Sequence, residues 1–133
     1  MGAEWRVRAI RGATTARENS IEAITESVLE LLAALEARNH LDPQEMISAI
    51  FTTTPDLDAI FPAQIARQRP HWDSVAMMDV QQMQVAGSLP QCIRFLVHTN
   101  LPAHQSVDHP YLRGASNLRP DWTIESIARV PVN

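Results

Sequence analysis

The sequence predicts an α+β domain in which about five strands pack on one long helix, and three observations lead to this fold class. Apolar residues recur at helical spacing most clearly between residues 21 and 35. Several short runs rich in β-branched and aromatic residues have the character of strands. One helix cannot cover both faces of such a sheet, so an apolar face should stay exposed and favour oligomerisation.

The first strand and the helix come from the N-terminal third of the chain. Trp5 to Ile10 has strand character, and Gly12 to Asn19 is expected to be a polar loop. Asn19 and Glu22 have the spacing of a capping box at the helix start, and the acidic residues of the helix are expected to face solvent. The apolar stripe of the helix consists of Ile21, Ile24, Val28, Leu31, Leu32 and Leu35.

A turn, a strand and two short helices are predicted next. Asp42 to Glu45 should form a helical turn, with Asp at the cap and Pro at the first position. Met46 to Thr53 has strand character and ends at Thr54-Pro55-Asp56. Leu57 to Phe61 and the segment that begins at Pro62 are expected to form two short helical pieces.

Strands dominate the second half of the chain. Ser74 to Met78 is a third predicted strand, and Gln81 to Val85 is a weaker candidate for a fourth. The strongest strand is Cys92 to Thr99. A short strand is expected near Ala115 to Leu118, and an irregular tail is expected after Asp121.

Composition indicates a soluble, cytoplasmic protein with a single domain, residues 1–133. A formal net charge of −4 and a pI near 5.7 argue against nucleic-acid binding. Cys92 is the single cysteine, which suits a reducing cytosol. The N-terminus lacks the apolar core of a signal peptide, and no apolar run approaches the roughly 18 residues that a membrane span requires.

Two arginines are the best candidates for an anion-binding site. Arg94 interrupts the apolar run Cys92 to Val97, and a guanidinium buried there needs an anionic partner. Arg11 ends the first predicted strand beside Gly12, which places it well for a pocket. A structural salt bridge, or a strand whose arginine faces water, would also explain Arg94. No P-loop, GxGxxG, HExxH, GxSxG or CxxC motif occurs, so the site that remains is a group of arginines.

Four segments, in order along nearly the whole chain, resemble the monofunctional chorismate mutases of the trimeric pseudo-α/β-barrel type. They are Arg8 to Thr15, Thr54 to Arg67, Gly87 to Arg94 and Tyr111 to Asp121. The resemblance implies a mixed sheet in a homotrimer, with active sites in clefts between subunits and a C-terminal tail that is mobile from about residue 120. It also implies the rearrangement of chorismate to prephenate, in phenylalanine and tyrosine biosynthesis, without a cofactor or a metal.

The resemblance further assigns roles to individual residues. Arg94 looks like the catalytic arginine that donates to the ether oxygen and a carboxylate, and Arg11 like the arginine that grips a substrate carboxylate. Tyr111 resembles the tyrosine that hydrogen-bonds the same end of the substrate. The other candidate substrate-binding residues are Phe61 and Ala63 in the apolar wall, Arg67 and Arg119 at the mouth, Leu118 in the lid, and Gln64, Met77, Met78, Asp79 and Gln82.

Three of these positions depart from the family pattern. Gln64 stands where a lysine is frequent, so the rim has one cation fewer. Asp79 stands where a cysteine often lines the pocket, and Gln82 stands where a glutamate usually accepts a hydrogen bond from the ring hydroxyl. The Gln82 amide oxygen can still accept that bond. Asp79 either takes over the role of the glutamate or pairs with an arginine.

Two other functions fit part of the pattern. A non-catalytic trimer that holds a small carboxylate ligand in the same clefts would tolerate the changes at Gln64 and Gln82. A hydrolytic deaminase of the small trimeric enamine/imine type shares the general architecture. The segments Cys92-Ile93-Arg94 and Arg119-Pro120-Asp121 fit that deaminase less well.

Overall fold

The computed structural model describes residues 4–122 of the chain. In chain order its elements are strand β1 (Trp5–Thr15), helix α1 (Ile21–Asn39), a 3-10 helix (Pro43–Glu45), β2 (Met46–Thr53), α2 (Pro62–Arg67), β3 (Ala76–Gln81), β4 (Cys92–Pro102) and a second 3-10 helix (Arg113–Asn117). The tail expected to be mobile from about residue 120 is described only as far as Trp122, and its remainder lies outside the described residues. No helix within residues 4–122 is long and apolar enough to cross a membrane.

The strands form one mixed sheet in the order β1-β4-β2-β3. β4 is antiparallel to β1 and β2, whereas β2 and β3 are parallel. One face of the sheet packs on the helices, and the core there joins Ile10, Phe51 and Val97 of the sheet to Ile24 and Leu35 of α1. The predicted α+β class and mixed sheet are therefore confirmed.

The other face of the sheet stays uncovered in the chain. Side chains of β4 alternate, so that Phe95 and Val97 are buried while Arg94 and Leu96 are only partly buried on the opposite side. We call this side the open face and define it by Val7, Arg11, Ile50, Thr52, Met78, Val80, Arg94 and Leu96. Val7, Met78 and Val80 are 53%, 60% and 40% exposed, which matches the apolar face that a single long helix leaves uncovered.

β1 extends through Thr15. The prediction of a polar loop from Gly12 to Asn19 is therefore wrong for residues 12–15, which belong to the strand. The strand continues because each residue from Trp5 to Thr15 has an antiparallel partner in β4. Gly12 lies directly opposite Phe95, and a Cβ atom on Gly12 would stand 2.5 Å from the Phe95 ring. Glycine is therefore needed here for a close approach of side chain to backbone, and not for a turn.

Helix α1 begins after Ser20, and the capping box predicted at Asn19 is wrong. Ser20 Oγ accepts a hydrogen bond of 3.1 Å from the Ala23 N–H. Asn19 Oδ1 instead accepts hydrogen bonds from the N–H groups of Asp58 and Ala59, at 3.0 and 3.1 Å. Asn19 thus ties the loop after β2 to the start of the helix.

One acidic side chain of α1 does not simply face solvent, contrary to the prediction. The Glu36 carboxylate accepts a hydrogen bond of 2.8 Å from Arg69 Nε and one of 2.7 Å from Trp72 Nε1. Trp72 is fully buried. Glu36 therefore satisfies a donor that has no access to water and joins α1 to the segment after α2.

The prediction of about five strands is not confirmed, because residues 4–122 form four. β3 ends at Gln81, whose register partner Thr53 is the last residue of β2. The Gln82 N–H still donates to the Thr53 carbonyl at 2.9 Å, and residues 83–85 lie beyond the end of β2. The strand predicted near Ala115 is a 3-10 helix, in which the Ala115 N–H bonds back to the Leu112 carbonyl at 3.0 Å. Residues 57–61 form an irregular loop with a bend at residues 59–60 where a short helix was expected.

Candidate active site

Arg11 and Arg94 line one pocket of about 500 Å³ on the open face, and Gln82 lines it with them. The full lining consists of Arg11, Ile50, Thr52, Gln81, Gln82, Met83, Arg94, Phe95 and Leu96. These lining residues include two guanidinium groups and neither a carboxylate nor an imidazole. Such a pocket suits a small anion that also has apolar surface.

The register of β1 and β4 brings the two arginines to the same face. Ala13 lies opposite Arg94, and Arg11 lies opposite Leu96. Arg11 and Arg94 are therefore diagonal neighbours across the ladder, an arrangement within reach of long side chains. Their positions depend on the backbone of two paired strands and not on a loop.

The guanidinium of Arg94 has no carboxylate partner among the described residues. Its Nε is buried and makes no hydrogen bond, and the group contacts the thiol of Cys92. Burial raises the pKa of the Cys92 thiol, and the nearby Arg94 only partly opposes that rise, so the thiol stays neutral. Leaving a buried donor unpaired costs about 1–3 kcal/mol.

Gln82 is held in the pocket by Thr52. The Thr52 hydroxyl donates a hydrogen bond of 3.3 Å to Gln82 Oε1. The Gln82 amide oxygen retains one further lone pair, and the Gln82 NH2 group can donate to a ligand. Thr52 lies directly opposite Arg94 in the ladder, so the amide and the guanidinium belong to one side of the pocket.

Tyr111 lies at the outer edge of β1, one strand away from Arg94. It forms a parallel bridge to Ala13, whose partner on the other side is Arg94. Tyr111 is 4% exposed and packs with Ala13 and Ala115, against which Leu118 also packs. The structure therefore brings the predicted residues Tyr111 and Leu118 together, but neither belongs to the lining of the open-face pocket.

Arg119 follows the second 3-10 helix and pairs bidentately with Asp121, at 3.0 and 2.7 Å. The hydrogen bond from Arg119 lowers the pKa of the Asp121 carboxyl. The Arg119 guanidinium also lies over the Trp122 ring. This predicted residue is thus ordered by contacts within its own turn.

The other predicted residues lie around α2, on the helix-covered side of the sheet. The Ala63 N–H donates a hydrogen bond of 3.0 Å to Asp79 Oδ1. Burial raises the pKa of Asp79, while the Ala63 N–H and the charge of Arg67 oppose the rise. Phe61 is 64% exposed and lines a second cavity, of about 260 Å³, together with Gln64. Within one chain, these residues are separated from Arg11 and Arg94.

The two methionines of β3 point to opposite sides of the sheet. Met77 packs against the core, whereas Met78 lies on the open face. The sequence prediction missed three residues that contact candidate site residues, namely Thr52, His109 and Trp122. Strand alternation places Thr52 beside Arg94 and was a usable signal, but nothing local in the sequence shows that His109 and Trp122 meet.

Known proteins of one family match almost the whole described chain. Residues 7–122 match the family model for chorismate mutase type I. The chain is 37% identical over 120 residues to chorismate mutase AroH of Bacillus subtilis, and the aligned region covers 89% of this chain and 94% of that protein. It is 44% identical over 117 residues to chorismate mutase AroH of Thermus thermophilus, and the aligned region covers 86% of this chain and 95% of that protein.

A solved structure agrees with these sequence relationships. The fold is similar to that of a chorismate mutase from Clostridium thermocellum, with a TM-score of 0.76 at 40% sequence identity. The similarity covers 83% of this chain and 98% of that one. These relationships establish that the chain belongs to the type I chorismate mutase family.

Proposed function

We propose that this chorismate mutase rearranges chorismate to prephenate in a cleft that two protomers of a homotrimer form together. The observation that carries the proposal is the presence of Arg11 and Arg94 in one pocket without a carboxylate. Chorismate has two carboxylates, and its transition state develops negative charge on the breaking ether oxygen. Cations that are in place before the substrate binds stabilise that charge more than they stabilise the ground state.

Each arginine has a distinct part in this mechanism. Arg94 donates to the ether oxygen and to a carboxylate, and its place in the lining of the open-face pocket supports this role. Arg11 and Tyr111 bind the other carboxylate and hold chorismate in its reactive diaxial shape. No proton transfer, cofactor or metal takes part.

The shared cleft follows from the separation of the candidate residues within one chain. Phe61 and Arg67 lie around α2, away from the open face that carries Arg11 and Arg94. A neighbouring protomer that covers the open face would bring its α2 side to the pocket. Phe61 and Ala63 would then form the apolar wall, and Arg67 would add a cation at the mouth.

The remaining candidates complete the cleft in this proposal. Gln82 accepts the hydrogen bond of the ring hydroxyl, with Asp79 of the neighbouring protomer as the alternative acceptor. Met77, Met78 and Gln64 line the cleft, and Leu118 and Arg119 border it on the C-terminal side. We place the reaction in the cytoplasm, within phenylalanine and tyrosine biosynthesis.

Replacing Arg94 tests the mechanism. Arg94→Ala should lower kcat by about 10² to 10³, the range expected when a preorganised oxyanion donor is lost. The loss of chorismate absorbance measures the rate, and Arg6→Ala, at the exposed start of β1, is a matched control that should keep the parent rate. An Arg94→Ala variant with most of the parent turnover would overturn the assignment. A parent protein that binds chorismate without turnover would favour the carboxylate-binding module.

Mixed trimers test the shared cleft. Arg94→Ala and Arg67→Ala alter opposite sides of the proposed interface, so protomers of the two variants would combine into some clefts with both arginines intact. Co-refolding the two impaired variants should therefore restore activity above the sum of the separate preparations. Activity that stays additive would place the whole site within one chain.

A further inference from the structure

The C-terminal end of the described chain docks beside β1 through ring contacts that the proposed mechanism does not use. Trp122 stacks on His109, with 4.0 Å between ring centroids and an interplanar angle of 27°. It also meets Tyr111 edge-on, at a centroid distance of 5.5 Å. Arg119 Cζ lies 3.5 Å from the centroid of the Trp122 ring. We call His109, Tyr111, Arg119 and Trp122 the clasp.

His109 connects the clasp to β1. The backbone N–H of Arg11 donates a hydrogen bond of 3.0 Å to His109 Nδ1. This bond requires an unprotonated Nδ1, so the neutral imidazole carries its proton on Nε2. The position of the clasp is therefore fixed relative to a strand residue that lines the open-face pocket.

Trp122 is the link between Arg119 and the rest of the molecule. Among the described residues, the hydrogen bonds and ring contacts of Arg119 go to Asp121 and Trp122, in its own turn. The Trp122 N–H closes that turn on the Arg119 carbonyl at 3.0 Å. Arg119 thus keeps its place beside Tyr111 because the indole between them is anchored on His109.

We propose that Trp122 is a positioning residue for the chorismate mutase reaction, which holds Arg119 at the edge of the cleft by clamping the C-terminal turn onto neutral His109. The kinetic consequence of this inference rests on the proposed function, whereas the clasp itself does not. Arg119 then acts in substrate capture, and Trp122 acts only through it.

The ionic groups around His109 favour a closed clasp when the imidazole is neutral. Burial lowers the pKa of His109, the carboxylate of Asp108 opposes this, and the charges of Arg11 and Arg119 add to the lowering. Protonation of Nδ1 would remove the acceptor for the Arg11 N–H and add a positive charge between two arginines. The clasp should therefore stay closed above the ordinary His pKa of 6.5 and loosen as pH falls through the lowered value.

Steady-state kinetics test the positioning role. Trp122→Leu should raise KM for chorismate roughly tenfold with kcat within about twofold of the parent value, because the loss of stacking and cation–π contact affects capture and not the chemical step. Trp122→Phe keeps an aromatic face and should restore most of the loss. Arg113 lies on the second 3-10 helix, outside the clasp, and forms a surface ion pair with Glu30 of α1. Arg113→Gln breaks this ion pair and should leave KM unchanged. A Trp122→Leu variant with the parent KM would overturn the proposal, as would an equal rise in Arg113→Gln.

Fluorescence tests the clasp independently of activity. A protonated imidazole quenches a stacked indole, so the difference in emission between the parent protein and Trp122→Phe should change with pH, with a midpoint below 6.5. The change should disappear in His109→Asn, where the amide oxygen still accepts from the Arg11 N–H but does not titrate. A pH-dependent signal that persists in His109→Asn would refute the contact. A titration that behaves as expected in a protein that lacks mutase activity would refute only the proposed function.

Discussion

At the scale of single residues, two partly buried charged candidates stand out, the Arg94 guanidinium and the Asp79 carboxyl group. Arg94 has an Nε that no described group accepts from, and Asp79 accepts a single backbone hydrogen bond from Ala63. The apolar run around Arg94 predicted its partial burial from sequence. That its partner would be missing was not predictable, because the acids that face a strand residue are set by tertiary contacts.

Asp79→Asn should be stabilising near neutral pH. Burial raises the pKa of Asp79 above 3.8, so the folded state favours the protonated acid. Its contribution to stability is fully present below pH 3.8 and is lost as pH rises through the higher folded-state pKa. Asparagine keeps an oxygen for the Ala63 N–H and carries no charge, so the Tm difference between variant and parent should increase from acidic to neutral pH.

Thermal unfolding over a pH series measures this effect. A Tm difference that does not vary with pH would show that Asp79 is not shifted in the direction stated. Asp73→Asn is a suitable control, because Asp73 is exposed in the segment before β3. Asp79→Asn also decides the role of Asp79 in the cleft. Turnover at the parent rate would leave Gln82 as the acceptor of the hydrogen bond from the ring hydroxyl.

At the scale of elements, local patterns predicted the strands and helices well, but not where they end or what they contact. The limits of β2 and the start of α2 at Pro62 agree with the prediction. β1 continued past Gly12 because its partner strand continued, and pairing of this kind is not visible in a single segment. The acidic pattern of α1 likewise did not reveal that Glu36 has an inward role.

Glu36→Ala should destabilise the protein by about 1–3 kcal/mol, the cost of leaving a buried donor without a partner. The variant removes the acceptor of the Trp72 indole N–H and of the Arg69 guanidinium. Chemical denaturation would measure the change in the free energy of unfolding. Glu22→Ala, on an exposed position of the first turn of the same helix, should change it much less. Equal effects of the two variants would mean that the Glu36 network contributes nothing specific.

At the scale of the whole molecule, the open face is the surface that we propose a neighbouring protomer covers. It exposes Met78 and Val80 on the edge strand β3, which β2 separates from the strand that carries Arg94. A partner that covers this face would therefore bury apolar surface and complete the proposed cleft at the same time. The sequence predicted this face from the mismatch between one long helix and a sheet. The number of protomers entered only through the family resemblance.

Val80→Glu should dissociate the proposed trimer and abolish activity together, because it places a charge on the exposed apolar part of the open face, which the proposed partner would bury. Light scattering after size exclusion would give the mass, and chorismate turnover would be measured on the same fractions. Leu29→Glu, on the outward side of α1, is the matched control and should leave both unchanged. A Val80→Glu protein that keeps its parent mass would show that the open face is not the interface.

The contact between Gly12 and the Phe95 ring has a consequence for how this pocket could evolve. The spacing of β1 and β4 at the Gly12–Phe95 pair affects the distance between the two arginines of the pocket. Arg11 directly precedes Gly12 on β1, and Arg94 directly precedes Phe95 on β4. A methyl group added at Gly12 would stand 2.5 Å from the Phe95 ring and 3.0 Å from the Pro110 carbonyl oxygen, so the ring or the strand would have to move. Selection for substrates of different size would therefore act more readily on the residues that border the pocket than on the ladder that spaces its charges.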